Sequence, residues 1–335
     1  MNFDLDFAVF PKPSKPSYSL YNPNLIWIPR AKNAPQTTDS SSNLRIPCLF
    51  LPSNEPSNQL IIYFHANAED IGMTELLFFP LRSMWKCHIL SVEYPSYGQY
   101  QEHPVLSEES IYEDAESVYT HVQTHYGVKE SQIVVFGRSL GTAPAVHLAA
   151  KFKPSGVMLI SPFCSIRAAA GSMSFDFLAS FVRERFSNES RMDKVTCPLL
   201  IIHGLKDGMI PVKQSHTLIN LAASEKKRLI TPQEMTHHDF DLLNDLGLPI
   251  SRFLGEVSGN KQDLGGSMII PHEEAIDWER FFPQRVVQLA VETTHTDRPL
   301  QESMVFSEPL QSEEDVGSLE PPENFISSQI DEYRG

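Results

Sequence analysis

One pentapeptide constrains this chain more than any other feature. Gly137-Arg138-Ser139-Leu140-Gly141 directly follows the apolar run Ile133-Val134-Val135-Phe136 and directly precedes an alanine-rich segment that opens at Thr142. A Gly-x-Ser-x-Gly placed between a strand and a helix forms a sharp turn, because glycines on both flanks remove the Cβ atoms that would collide with the crossing backbone. Such a turn lifts the serine hydroxyl above the sheet edge. A helix N-terminus then lies beneath it, where developing negative charge is favoured. The rest of the chain must therefore supply a sheet and the helices that cover it.

It does. Ile61-Ile62-Tyr63-Phe64, Ile89-Leu90-Ser91-Val92, Val157-Met158-Leu159-Ile160 and Leu199-Leu200-Ile201-Ile202 join the run at 133–136 as short β-rich segments, apolar on both faces. Parallel strands covered by helices on each side have this composition. Between them lie helical patterns: residues 107–126, opened by Ser107-Glu108-Glu109 with acids in the first turn; residues 142–151; and residues 239–254, with leucines at helical spacing. Strand–helix alternation over about 200 residues predicts an α/β fold with right-handed crossovers.

Composition sets the boundaries of that domain. Residues 1–40 are rich in proline, serine and asparagine and predict an extended N-terminal segment with one strand near Leu25–Ile28. Residues 41–255 carry the α/β pattern. A stretch at about 162–194 breaks it and predicts a short helical cap over the strand ends. Of the 42 acids and 27 bases, 17 and five fall in residues 256–335, so that tail carries −12 of the net −15. Its acidity, with Glu313-Glu314-Asp315 and Pro321-Pro322, predicts a mostly disordered tail outside the core, with one isolated helix at about 275–289.

The acidic balance argues against nucleic acid as a partner, since phosphate binding needs a surplus of lysine and arginine. The four cysteines, Cys48, Cys87, Cys164 and Cys197, are widely spaced with no C-x-x-C pair, so neither a zinc knuckle nor a disulfide framework is expected. No signal peptide or bilayer-length apolar run is present, which predicts a cytoplasmic protein, at most peripheral at membranes.

A serine hydroxyl is a weak nucleophile and needs a base that an acid orients. In the fold that owns the Gly-x-Ser-x-Gly turn, the chain order is serine, then Asp or Glu, then histidine. After Ser139, the run 199–202 ends in His203-Gly204-Leu205-Lys206-Asp207-Gly208, which puts Asp207 on a loop after a strand. Further on, Arg228-Leu229-Ile230 is followed by Thr236-His237-His238-Asp239, with Asp239 expected to open the last helix; one of the two histidines is the expected base. His203, at a strand end, reads as a packing residue. An oxyanion hole needs two backbone N–H donors. Leu140, next after the serine, is one; the other is expected in the loop from His65 to Gly72, from Asn67, with Ala66 the alternative.

At this point a family resemblance is plain. His65-Ala66-Asn67-Ala68-x-Asp70-x-Gly72 resembles the H-G-N-A-x-D-x-G box of the alpha/beta hydrolase domain-containing protein 17 depalmitoylases, and Glu93-Tyr94-Pro95-Ser96-Tyr97-Gly98 resembles their D-Y-S-G-Y-G. The segment 136–145 resembles Y-G-Q-S-I-G-T-x-P, and the family's H-N-D matches His237-His238-Asp239, which selects His237 as the base. The likeness runs from about residue 45 to 254. It implies an α/β-hydrolase fold, a Ser139/Asp207/His237 triad, no cofactor or metal, and protein S-palmitoyl thioesters as substrate. Three departures stand out: Ala66 replaces a glycine; Arg138 replaces a neutral residue beside the nucleophile and suggests a different acyl-bearing surface; and no cysteine precedes Cys48, so the family's lipidated N-terminal cluster has no counterpart.

The expected function is hydrolysis of acyl thioesters or esters through a covalent acyl-enzyme, on an acylated protein or lipid-like substrate, with transient membrane contact through that substrate. The alternatives are a carboxylesterase, lipase or serine peptidase on the same triad, and a catalytically silent interaction protein whose acidic tail binds basic partners.

Overall fold

In a computed structural model, residues 11–31, 44–100, 106–172, 184–258 and 275–281 are described. They build one eight-stranded sheet in the order β1-β2-β4-β3-β5-β6-β7-β8. The strands are β1 (Leu25–Pro29), β2 (Arg45–Leu51), β3 (Leu60–Phe64), β4 (His88–Val92), β5 (Ile133–Arg138), β6 (Gly156–Ile160), β7 (Leu199–Ile202) and β8 (Lys227–Ile230). From β4 through β3 to β8 every pairing is parallel, whereas β1–β2 and β2–β4 are antiparallel.

The centre of the sheet explains the apolar runs. Every residue of β3, β4, β5, β6 and β7 is buried. Alternate side chains feed two cores, as the two-residue period of a strand requires: Ile133 and Val135 point into one, Val134 and Phe136 into the other. The first core is closed by the helices Glu108–Thr124, Thr142–Lys151 and Lys213–Leu221, the second by Ile71–Phe78 and Leu248–Val257. Local chemistry starts these helices where the sequence suggests. The Ser107 hydroxyl accepts from Ser110 N (3.1 Å) while Ser107 N donates to Ser110 Oγ (2.9 Å), a reciprocal cap. Asp70 likewise caps Ile71–Phe78 by accepting from Gly72 N and Met73 N.

The strand expected near Leu25–Ile28 is present: β1 pairs with β2 along five residues, and Arg30 binds Glu113 and Asp114 of the Glu108–Thr124 helix at 2.8 and 2.5 Å. Two expectations need correction. The last helical region starts three residues later than expected. Asp241, not Asp239, accepts from the first free amides, and Asp239 instead closes a turn with Thr236. Finally, core packing does not stop at Gly255. Residues 275–281 return to the domain, with Ile276 and Phe281 buried and Ile276 N donating to Ser57 O at 2.7 Å. Apolar side chains inside an acidic stretch found an open core face, and composition averaged over the stretch hid them. The remaining expected tail (259–274 and 282–335) lies outside the described residues, as does the middle of the expected cap (173–183). The described part of the cap holds a short helix, Ile166–Ser172. No helix among the described residues is long and apolar enough to cross a membrane.

Candidate active site

The turn after β5 has the geometry its sequence demands. Ser139 has φ +50°, in the left-handed region, which a non-glycine residue occupies only where the surroundings impose it. The surroundings are backbone. A Cβ on Gly137 would lie 2.1 Å from Gly141 O, and one on Gly141 would lie 2.1 Å from Phe64 O at the end of β3. Glycine on both flanks thus lets the crossing chain, and the loop after β3, press against the turn. The Thr142 hydroxyl donates to Ser139 O at 2.6 Å and joins the turn to the Thr142–Lys151 helix.

Two loops bring partners to that hydroxyl. The loop after β7 carries Asp207 and the loop after β8 carries His237, and both strands end on the same side of the sheet as β5. His237 Nδ1 lies 2.8 Å from Asp207 Oδ2, and His237 Nε2 lies 3.0 Å from Ser139 Oγ. An ionised carboxylate only accepts, so the proton sits on Nδ1, and Nε2 is left to accept from the serine hydroxyl. Asp207 is suited to stay ionised. Burial alone raises its pKa, but contacts from His203 and His237 and the amide of Ile210 outweigh burial and hold it well below the usual carboxylate range. Its Oδ1 accepts from Met209 N (2.9 Å) and Ile210 N (2.8 Å). His238, the neighbouring candidate, is exposed, with its ring at 82° to that of His237.

The loop after β3 supplies the other side of the site. His65 is buried, with Nε2 2.9 Å from Glu93 Oε1, and Glu93 also accepts from Tyr18, Tyr94 N and Ile71 N. Burial alone would lower the His65 pKa; the Glu93 carboxylate reverses this, and the net shift is upward. Of the two donor candidates here, the Ala66 amide already donates to Glu69 Oε2 (3.2 Å). The Asn67 side chain is fixed by the Tyr97 hydroxyl, which donates to Oδ1 at 2.7 Å.

Two residues outside the expected triad belong to this neighbourhood. His203 does pack in the core, but its Nε2 also lies 3.3 Å from Asp207 Oδ2, and its Nδ1 2.6 Å from Ser215 Oγ. Arg138 does not face an acyl-bearing surface. It is turned inward, pairs with Glu69 and donates from Nη2 to His237 O at 3.0 Å. The spacing His203-x-x-x-Asp207 was a usable signal for the first; nothing in the sequence pairs 69 with 138. Among the described residues no group of three or more His, Cys, Asp or Glu side chains is arranged to hold a metal ion.

Comparison with known proteins places the fold. The Pyrococcus furiosus esterase Pf2001 superposes with a TM-score of 0.56 over 74% of this chain and 100% of that one, at 16% identity. Est1E from Butyrivibrio proteoclasticus gives 0.52 over 70% and 98%, at 17% identity. This chain has the α/β-hydrolase fold. As an α/β hydrolase by fold, it is also similar in sequence to two named relatives. Alpha/beta hydrolase domain-containing protein 17B of Homo sapiens is 32% identical over 173 residues, 52% of this chain and 58% of the relative. Alpha/beta hydrolase domain-containing protein 17C of Mus musculus is 32% identical over 167 residues, 50% of each. The chain thus spans about half the length of the curated relatives it matches. No protein-family model matches it.

Proposed function

We propose that this chain is a serine hydrolase that cleaves acyl thioesters or esters through a covalent acyl-enzyme. The observation that carries the reading is the continuous hydrogen-bonded line from Asp207 through His237 to Ser139, with Ser139 at a strained turn over a helix N-terminus. Ser139 Oγ attacks the acyl carbonyl as His237 Nε2 takes its proton, and Asp207 balances the imidazolium charge. The tetrahedral oxygen is held by the amides of Leu140 and Asn67, an oxyanion hole formed by the turn and the β3 loop. His237 then returns the proton to the departing sulfur or oxygen, and a water activated by the same imidazole releases the acyl group. No cofactor enters the reaction.

The resemblance to the protein 17 depalmitoylases favours protein S-palmitoyl thioesters, an acylated protein being the partner. The motifs at 65–72, 93–98 and 237–239 support that assignment. Side-by-side turnover of matched thioester, oxyester and amide substrates tests it, and preference for the oxyester or the amide overturns it. Ser139→Ala is expected to lose fluorophosphonate labelling and to lower turnover by about 10⁴–10⁶-fold with the melting temperature retained. Retention of more than a few percent of turnover would rule Ser139 out as the nucleophile, and a wild-type protein that neither labels nor turns over would favour the silent interaction protein.

A further inference from the structure

Beside the triad lies a second charged line that the proposed chemistry does not use. Arg138, immediately before the nucleophile, is buried, with its side chain 7% exposed. One guanidinium nitrogen pairs with Glu69 Oε1, the other donates to the main-chain oxygen of His237 at 3.0 Å, and the carbon between them lies 5.4 Å from the centre of the Phe240 ring. The other Glu69 oxygen accepts from Ala66 N. Three segments that meet nowhere in sequence are therefore joined: the loop after β3, the turn after β5 and the loop after β8. We propose that Glu69 and Arg138 form a charge-neutral strut that sets the position of His237. Both are thus positioning residues, and the proposal rests on the serine-hydrolase reading for its catalytic meaning.

The pairing has a physical reason. Burying a guanidinium costs far more than a surface ion pair returns, so a buried one needs a matched anion; both terminal nitrogens find acceptors, while the buried Nε has none among the described residues. Burial alone would lower the Arg138 pKa; Glu69 outweighs it, and the net shift is upward, so the group stays a cation. An uncompensated cation here would oppose the imidazolium that His237 must become, and an uncompensated Glu69 would favour it. Together they cancel in charge and leave a two-pronged clamp on the base loop. His237 otherwise faces Ser139, Asp207 with His203 behind it, and His238 at its side. None of these changes in the variants below. Where the family this chain resembles carries a neutral residue, Arg138 requires a partner, and Glu69 occupies the variable position of the box at 65–72 that can reach it.

The test reads the position of His237 from its ring proton and carbon resonances, at one fixed pH, in full-length wild type, Glu69→Gln, Arg138→Gln, Arg138→Lys and the double variant, with ring carbons labelled. It needs no turnover. Each variant is expected to displace those resonances and to lower the fluorophosphonate labelling rate about 10–100-fold, as for a base displaced by a fraction of an ångström. Arg138→Lys keeps the cation but cannot hold both partners, so it loses labelling rate as Arg138→Gln does. A structural role alone would lower melting temperatures and leave the His237 resonances and the labelling rate of the folded variants unmoved; that result, or full rescue by Arg138→Lys, overturns the strut. Should Arg138→Gln not fold, Glu69→Gln and the charge-free double variant decide the matter. If Ser139→Ala labels as fast as wild type, the hydrolase reading fails, and the His237 resonances still decide the strut.

Discussion

Phe281 is the sharpest point at which composition and packing disagree. Its ring is 1% exposed, stacked on Phe50 with centroids 4.1 Å apart and planes at 10°, and against Tyr126 with centroids 3.9 Å apart at 31°. Burying a phenylalanine is worth about 1.5–3 kcal/mol by transfer, and an aromatic pair adds about 0.5–1.5 kcal/mol. Phe→Ala in a core costs about 3–5 kcal/mol. Here the loss is capped, because residues 275–281 can undock as a unit once their docking energy is spent. We therefore expect Phe281→Ala to cost about 2–3 kcal/mol. At about 2–4 °C per kcal/mol for a domain of this size, the Tm falls by about 4–12 °C. Thermal and urea melts of the full-length chain, followed by circular dichroism, measure it. Removal of everything after residue 258 is expected to cost at least as much. Labelling of Ser139 at a temperature where the variant is folded should be unchanged, because Phe281 docks on Phe50, whose ring also stacks on His88 at the start of β4, the opposite end of the parallel strands from the turn at Ser139. A Tm within 1 °C of wild type would show that the ring contributes nothing, and that the acidic stretch is dispensable to the core as its composition suggests.

Two further outcomes follow from the site and the core. His237→Ala should be nearly as damaging to turnover as Ser139→Ala, because each acts only with the other, while His238→Ala should cost less than about 10-fold; steady-state kinetics with the reverse ranking would move the base by one residue. His88 is buried, and burial lowers its pKa from 6.5 to about 4, against an opposing backbone hydrogen bond with Ser57; the Ser53 amide donates to Nδ1 at 3.1 Å, as a neutral ring allows. The folded pKa lies below the unfolded one, so the neutral ring stabilises the fold above pH 6.5 and that contribution is lost as pH falls toward 4, by up to about 1.4 kcal/mol per pH unit. The stability difference between wild type and His88→Gln in urea melts should therefore shrink across that window; a constant difference refutes the assignment.

Much of this molecule was legible before any coordinates. Strands β3 to β7 announce themselves because both of their faces are buried, so almost every position is apolar, with His88, Ser91 and Arg138 the hydrogen-bonded exceptions, and that constraint is written locally in each run. The turn at 137–141 is legible for the same reason: glycine at 137 and 141 answers to backbone a few residues away and to β3. Ser139, Asp207 and His237 could be named as candidates because each follows a strand in a known order.

What the chain does not spell out is which distant groups meet. The antiparallel edge made by β1 and β2 is tied to the Glu108–Thr124 helix by Arg30, which meets Glu113 and Asp114 more than 80 residues on. The contact of His203 with Asp207, the clamp of Glu69 and Arg138 on His237, and the return of Phe281 to Phe50 are likewise pairings across the fold. Charge and apolarity are properties of single residues and can be read one at a time. A hydrogen bond or a stacked ring needs two groups within a few ångströms, and only tertiary packing sets that distance. Sequence alone determined the sheet, the turn and the chemistry types on its loops; the tertiary structure decided that Arg138 faces inward to the base rather than outward to a substrate, because the nearest anion that can neutralise it in a dry interior is Glu69.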